Sequence, residues 1–170
     1  MLIGVVSDTH NNYKNIELIV HLFNEANVDL VIHTGDIANS KSLDKFKNLN
    51  CELVGVYGNN DRGEKGLKEV AVSNGFHFQE PPKLLSLCQK NIAIFHEPDS
   101  INDFLLNNNA DVIIHGHTHR YRNEIQNGVL IFNPGESAGM INGKNAVGIL
   151  NLENLKTKRI FFWGTKINLQ

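Results

Sequence analysis

Five times in this chain a short apolar run stops at a carboxylate, an amide or an imidazole, and that recurrence limits what the chain can fold into. Residues 2–6 run into Ser7-Asp8-Thr9-His10, and residues 29–32 into His33-Thr34-Gly35-Asp36. Residues 51–57 end in Gly58-Asn59-Asn60-Asp61, residues 92–95 end at His96, and residues 111–114 lead into His115-Gly116-His117-Thr118-His119. Continuous apolar runs of this length read as strands buried on both faces, so the sheet they form must be covered on both sides. Metal-competent groups gathered just past the carboxyl ends of these strands put the chemistry at the carboxyl edge of an open α/β sheet.

Between these runs the spacing changes to helical. Ile16, Ile19, Val20 and Phe23 fall at i, i+3, i+4 and i+7, which makes one apolar stripe and leaves His21 in solvent. Short helices are expected over residues 41–49 and 64–72. Strand, loop and helix alternate through the first half, which calls for a parallel or mixed sheet with helical crossovers. The second half reads as mostly antiparallel. Residues 76–78 and 84–87 are extended pieces around Pro81-Pro82, with His77 a strand residue outside the chemistry. Ser100 and Asp103 have capping-box spacing and open a helix after Pro98. Asn127-Gly128 joins residues 120–126 to 129–132 as a hairpin, Asn133-Pro134-Gly135 is a turn, and residues 146–152 and 157–163 close the chain as a second hairpin. The economical architecture is an α/β sandwich of four layers, αββα: two mixed sheets face to face with helices outside, one domain over residues 1–170.

Composition bounds the function. A hydrophobic share of 41% with 20% charged residues is that of a globular chain able to bury a core. The net charge is −2 without a Lys/Arg run, which argues against nucleic acid as an obligatory partner. No stretch approaches the ~20 apolar residues of a membrane span, and residues 1–6 are too short for a signal peptide, so a cytoplasmic protein is expected. Cys51 and Cys88 sit beside or within apolar runs and read as buried thiols of a reducing compartment.

Asp8, His10, Asp36, Asn59, His96, His117 and His119 are metal-competent, and neighbouring strand ends converge. Imidazole is the commonest metal ligand, and carboxylate, amide and imidazole together suit Mn, Fe, Co, Ni or Zn better than Ca or Mg. The set exceeds one tetrahedral site and suffices for two ions that share a carboxylate.

In order, the motifs Asp8-Thr9-His10, Gly35-Asp36, Gly58-Asn59, His96 and Gly116-His117-Thr118-His119 resemble those of the calcineurin-like metallophosphoesterases, over nearly the whole chain. The small size, Gly58-Asn59-Asn60-Asp61 and Asn133-Pro134-Gly135 look like the compact prokaryotic phosphodiesterase branch. The resemblance implies the same αββα fold. It implies a metal-dependent phosphodiesterase acting on a small phosphodiester, with self-association left open. Asp8, His10, Asp36 and His119 would hold one divalent ion, and Asp36, Asn59, His96 and His117 the second, with manganese the leading metal. A hydroxide bridging two such ions would attack phosphorus. Asn11, Asn60 and Arg120 lie next to ligands and are candidate substrate contacts, and Asn133 lies near the site by resemblance. His33 and His115 match no ligand position and read as core histidines that orient ligands from behind. Two departures stand out. The position after Gly-Asn, which carries a proton-donating His in many relatives, is Asn60, and His96 is followed by Glu97-Pro98. A phosphomonoesterase or phosphoprotein phosphatase would need more basic side chains than Arg62, Arg120 and Arg122. A non-catalytic scaffold like the retromer subunit of this fold would have lost its ligands.

Overall fold

The chain, seen in a computed structural model, is described over residues 1–141, 143–163 and 166–169. Its first half lays down β1 (Leu2–Val6), α1 (Tyr13–Glu25), β2 (Leu30–His33), α2 (Ser40–Asp44), β3 (Glu52–Val56), α3 (Leu67–Ser73) and β4 (His77–Gln79). β1 through β4 are parallel neighbours in sequence order. The second half adds β5 (Lys83–Leu87), β6 (Lys90–Ile94), α4 (Ile101–Asn107), β7 (Val112–Ile114), β8 (Arg122–Gln126), β9 (Val129–Asn133), β10 (Ala146–Asn151), β11 (Lys156–Trp163) and β12 (Lys166–Leu169). One sheet runs β12-β11-β10-β1-β2-β3-β4 and the other β5-β6-β7-β9-β8.

Alternation along the buried strands builds the layers. Ile3 and Val5 of β1 join Ile32, Val54, Ile94, Ile114 and Phe132 in a core between the two sheets. Val6 turns the other way and packs with the α1 stripe, Ile16, Ile19, Val20 and Phe23, under the helical layer. The Phe23 ring lies so close to β1 that a Cβ on Gly4 would come within 2.9 Å of it. On the far side Phe95, Ile113 and Ile131 pack against Ile101 of α4. The result is the expected αββα sandwich of two mixed sheets.

Several local expectations are corrected. The second half pairs mostly antiparallel, as expected, but not as one sheet: β6–β7 and β7–β9 are parallel, and β10 leaves for the first sheet to pair antiparallel with β1. The apolar strand β9 is buried at every residue and takes the interior place, which leaves the polar β8 at the edge. The stretch expected as a helix over 41–49 divides into α2 and a tighter 3₁₀ turn, Lys45–Asn48. α3 begins at Leu67 because Gly66 stands at φ 81. The Ser100 side chain makes no capping bond to α4. Cys51 is only partly buried and Cys88 is exposed; both are free thiols. Cys88 and Gln89, at φ 48 and 62, form the tight turn between β5 and β6. Asn127-Gly128 does close the β8–β9 hairpin, with both residues at positive φ. Residues 164 and 165 lie outside the described residues, as does Asn142.

Candidate metal centre

The carboxyl ends of β1, β2, β3, β6 and β7 deliver their polar residues to one place. Asp8, His10 and His119 bring ligand atoms within 4.8 Å of one another, as do Asp8, Asp36 and His96. Asn59 and His117 complete the group: Asn59 Oδ1 lies 2.9 Å from His96 Nε2 and 3.0 Å from His117 Nδ1.

The backbone is bent to achieve this. Asp8, His10, Asp36, His117 and His119 all take positive φ, between 44° and 66°, a region that costs an ordinary L-residue roughly 1–2 kcal/mol and that Asp and His tolerate better than most. Close packing removes the alternatives. A Cβ on Gly58 would sit 2.2 Å from Asp36 Oδ1, and one on Gly116 2.2 Å from Ser7 Oγ. Only glycine lets the loops after β3 and β7 approach the two carboxylates.

Each carboxylate is held by donors. Asp8 is fully buried; Ser7 Oγ donates to it, and the His117 N–H reaches its oxygens at 3.1 and 3.2 Å. Burial pushes its carboxyl up to about 6 in the absence of a cation. Asp36, 2% exposed, accepts the Asn60 backbone N–H at 2.9 Å on Oδ1 and the Asn60 side-chain N–H at 2.7 Å on Oδ2. Asn60 therefore clasps the Asp36 carboxylate, and the expectation of a substrate contact has to share its amide with that bond.

The imidazoles are oriented from behind. His96 Nδ1 lies 2.8 Å from the Thr34 carbonyl, which in a neutral ring places the proton there and leaves a lone pair on Nε2. That lone pair faces Asn59 Oδ1 at 2.9 Å, Asp36 Oδ1 at 3.3 Å and His117 Nδ1 at 3.3 Å. With the His117 proton on Nε2, acceptors converge on acceptors. His10 Nε2 is buried without any hydrogen-bond partner, 3.9 Å from Asp36 Oδ2, and burial lowers its pKa. Buried acceptors gathered in this way are costly unless something positive lies between them. Soft imidazole nitrogens mixed with carboxylate oxygens fit a divalent transition ion.

His33 and His115 are fully buried behind the ligands. His33 accepts the Gly35 N–H at 3.1 Å on Nδ1 and meets Thr9 Oγ1 at 3.0 Å through Nε2, so one neutral ring ties the first motif to the second. Burial lowers it to about 3, and His115 to about 4. Asn133 donates to the Gly116 carbonyl at 3.1 Å and to Thr118 Oγ1 at 3.3 Å, bracing the turn that carries His117.

Sequence reasoning missed Asp61 as a structural group. Its buried carboxylate accepts four backbone N–H groups, from Asp36, Ile37, Ala38 and Gly58, at 2.7–2.9 Å. Burial raises its pKa against the pull of those bonds. Of the remaining candidates, Asn11 is exposed at the rim and accepts from Asn39, and Arg120 is exposed with only its backbone engaged, by Thr118 Oγ1. Glu97 turns away to Arg62, 3.6 Å distant.

Residues 1–155 match the calcineurin-like phosphoesterase superfamily domain. A phosphodiesterase of Methanocaldococcus jannaschii is 34% identical over 94% of this chain and 98% of its own length, and a probable metallophosphoesterase of Bacillus subtilis is 26% identical over 91% and 86%. Among solved structures, an archaeal phosphodiesterase superposes with a TM-score of 0.87 at 33% identity, covering 95% of this chain and all of that one. Vps29 of Entamoeba histolytica, solved with zinc, has a TM-score of 0.74 at 16% identity over 100% of this chain and 97% of its own, a likeness of fold alone. No helix among the described residues is long and apolar enough to cross a membrane. With the matched domain spanning the sandwich from β1 to β10 and taking in every motif residue of the centre, this chain belongs to the calcineurin-like phosphoesterase superfamily.

Proposed function

We propose that this protein is a metal-dependent phosphodiesterase that hydrolyses a small phosphodiester with two divalent ions. The observation that carries the reading is the convergence of His96 Nε2, Asn59 Oδ1, His117 Nδ1 and Asp36 Oδ1 at one place, with Asp8, His10 and His119 beside them. The similarity to a phosphodiesterase along almost the whole chain supports it. Asp8, His10, Asp36 and His119 would hold one ion; Asp36, Asn59, His96 and His117 would hold the other, with Asp36 shared. Such ions supply positive charge against the phosphoryl oxygens and acidify water. The protein's own residues fix that charge in place: Asn60 and Asp61 hold Asp36, Ser7 and the His117 N–H hold Asp8, and the Thr34 carbonyl sets the tautomer of His96. Preorganised groups of this kind lower a barrier without reorganising during the reaction.

Manganese is the metal we favour, on the mixed oxygen and nitrogen ligand set; nickel, iron, cobalt and zinc share that chemistry. We also infer that residues 1–170 work as one domain. Free thiols at Cys51 and Cys88 support a cytoplasmic setting. Catalysis on monoesters is less well supported, because a dianion calls for free guanidinium groups. Arg62 is engaged by Glu97, and Arg122 by Glu124 at 2.6 and 2.9 Å, which leaves Arg120. The test is the initial rate on bis-nitrophenyl phosphate and nitrophenyl phosphate after metal stripping and reloading. Metal-restored hydrolysis of the diester in preference to the monoester is expected; equal or greater monoester hydrolysis would transfer the reading to a monoesterase.

A further inference from the structure

Beside the metal centre lies a shallow, open cleft of about 560 Å³, lined by His10, Asn11 and Asn12 and by Ala138, Gly139 and Met140. His10, one member of the Asp8–His10–His119 cluster, lines the cleft and adjoins it to that cluster. Its outer wall is a loop whose backbone is tied down from two directions. Asn12 and Asn15 of the α1 N-terminal region donate to the Ala138 and Ser137 carbonyls, each at 2.7 Å. The buried Glu136 carboxylate accepts the Gly139, Met140 and Ile141 N–H groups at 2.9, 3.4 and 3.1 Å.

Fixing a loop this firmly leaves the Met140 side chain 60% exposed against the cleft. An exposed methionine adds little to folding, since the apolar surface it keeps in water contributes nothing. Its thioether is adaptable and packs well on ring faces. Across from it the Asn12 amide is taken up by the Ala138 carbonyl and the Asn15 N–H, and the Asn11 oxygen by Asn39, which leaves the Asn11 NH₂ as the polar edge; neither lysine nor arginine lines the cleft among the described residues. Such a lining suits a flat, uncharged ring with polar atoms at its edge and offers nothing to a second phosphate.

We propose that Met140 determines specificity, walling a subsite that takes one ester substituent of the substrate, an uncharged group with a flat apolar ring. The proposal rests on the phosphodiesterase reading and names the substrate class for it. An aryl alcohol and a nucleoside share this chemistry.

The experiment uses the metal-loaded full chain and three competitive inhibitors with the same phosphonate: phenyl, methyl and nucleoside methylphosphonate. In Met140→Ala the inhibition constant of the phenyl ester should rise about three- to tenfold, Met140→Leu should restore it, and that of the methyl ester should stay unchanged. The nucleoside ester binding more tightly than the phenyl ester assigns a nucleobase to the subsite; the reverse assigns a simple aryl group. Peroxide oxidation supplies a readout apart from activity. The chain has two methionines. Met1 begins β1 at the end opposite the site and serves as the reference. The phenyl ester should slow oxidation of Met140 severalfold and leave Met1 alone. Unchanged inhibition in Met140→Ala together with unprotected Met140 overturns the proposal. Should the loaded protein hydrolyse no diester, the phosphodiesterase reading falls, and protection of Met140 alone then decides the subsite.

Discussion

The Asp61 carboxylate receives the backbone N–H of Asp36 at 2.9 Å and, with its other oxygen, the next two N–H groups along the chain. It also receives Gly58 N–H at 2.7 Å, so one buried side chain pins the loop after β2 to the loop after β3. An amide in its place keeps one acceptor oxygen and turns an NH₂ onto N–H groups. Asp61→Asn should therefore weaken metal affinity about 10- to 100-fold, the cost typical of removing a group that orients a ligand. Calorimetric metal titration measures it. An affinity equal to wild type would show that the Asp36 backbone holds its bend unaided.

Removing the shared ligand should cost more than disturbing its support. Asp36→Ala is expected to lower kcat by roughly 10²–10³-fold or more, whereas His33→Ala and His115→Ala, which touch no ion in the proposed scheme, should fall within about 10–100-fold. Metal content per chain, read by elemental analysis beside the rates, separates the two classes. If His115→Ala lost its metal and His119→Ala kept it, the ligand assignment along the β7 loop would be wrong.

Asn60 donates its backbone N–H and one side-chain N–H to Asp36, and an amide cannot transfer a proton to a leaving group. A general acid is typically worth ~10²–10⁴-fold. We expect rates to fall steeply as the leaving alcohol becomes less acidic, with nitrophenyl esters fast and alkyl diesters slow, measured across an ester series at saturating metal. A flat series with chemistry rate-limiting would reveal a proton donor elsewhere in the site.

His115 makes a prediction about stability that needs its sign worked out. Its folded pKa is depressed from 6.5 to about 4 by burial, so between those values the unfolded chain takes up a proton that the folded chain refuses. Stability is thus lost as pH falls from about 6.5 to about 4, by about 3 kcal/mol in total. Asp8, raised from 3.8 to about 6, acts in the opposite direction in the metal-free protein, losing stability as pH rises through its window. The wild-type curve alone mixes these two with His10, His33 and Asp61, whose pKa values burial also shifts. Subtracting the urea-unfolding free energy of His115→Asn across the same pH range isolates the histidine, and a difference that does not vary with pH would refute the burial argument.

What the sequence made legible depended on whether a feature is local. β1, β2 and β3 were readable because each is a continuous apolar run, and the β8–β9 turn because Asn127-Gly128 prefers positive φ. The turn at Cys88-Gln89 has the same left-handed pair without the residues that usually advertise it. Strand order in the second sheet was not readable, since β9 chooses β7 over long range and does so by its apolarity. At the centre, the motif residues were visible as side-chain chemistry at strand ends. The work of Asp61 was not, because its partners are backbone N–H groups, which every residue type but proline presents alike. For the same reason Asn60 read as a substituted proton donor and not as the clasp on Asp36.

The five proposed ligand residues held at positive φ carry a consequence for anyone who breeds this protein for heat tolerance. Glycine or asparagine relieves left-handed strain that aspartate and histidine sustain, so selection on survival alone will find its easiest gains inside the centre itself. Variants that endure the highest temperatures should come out inert. A screen that heats first and assays turnover afterwards would steer the search back to the outer helices and the β8 edge.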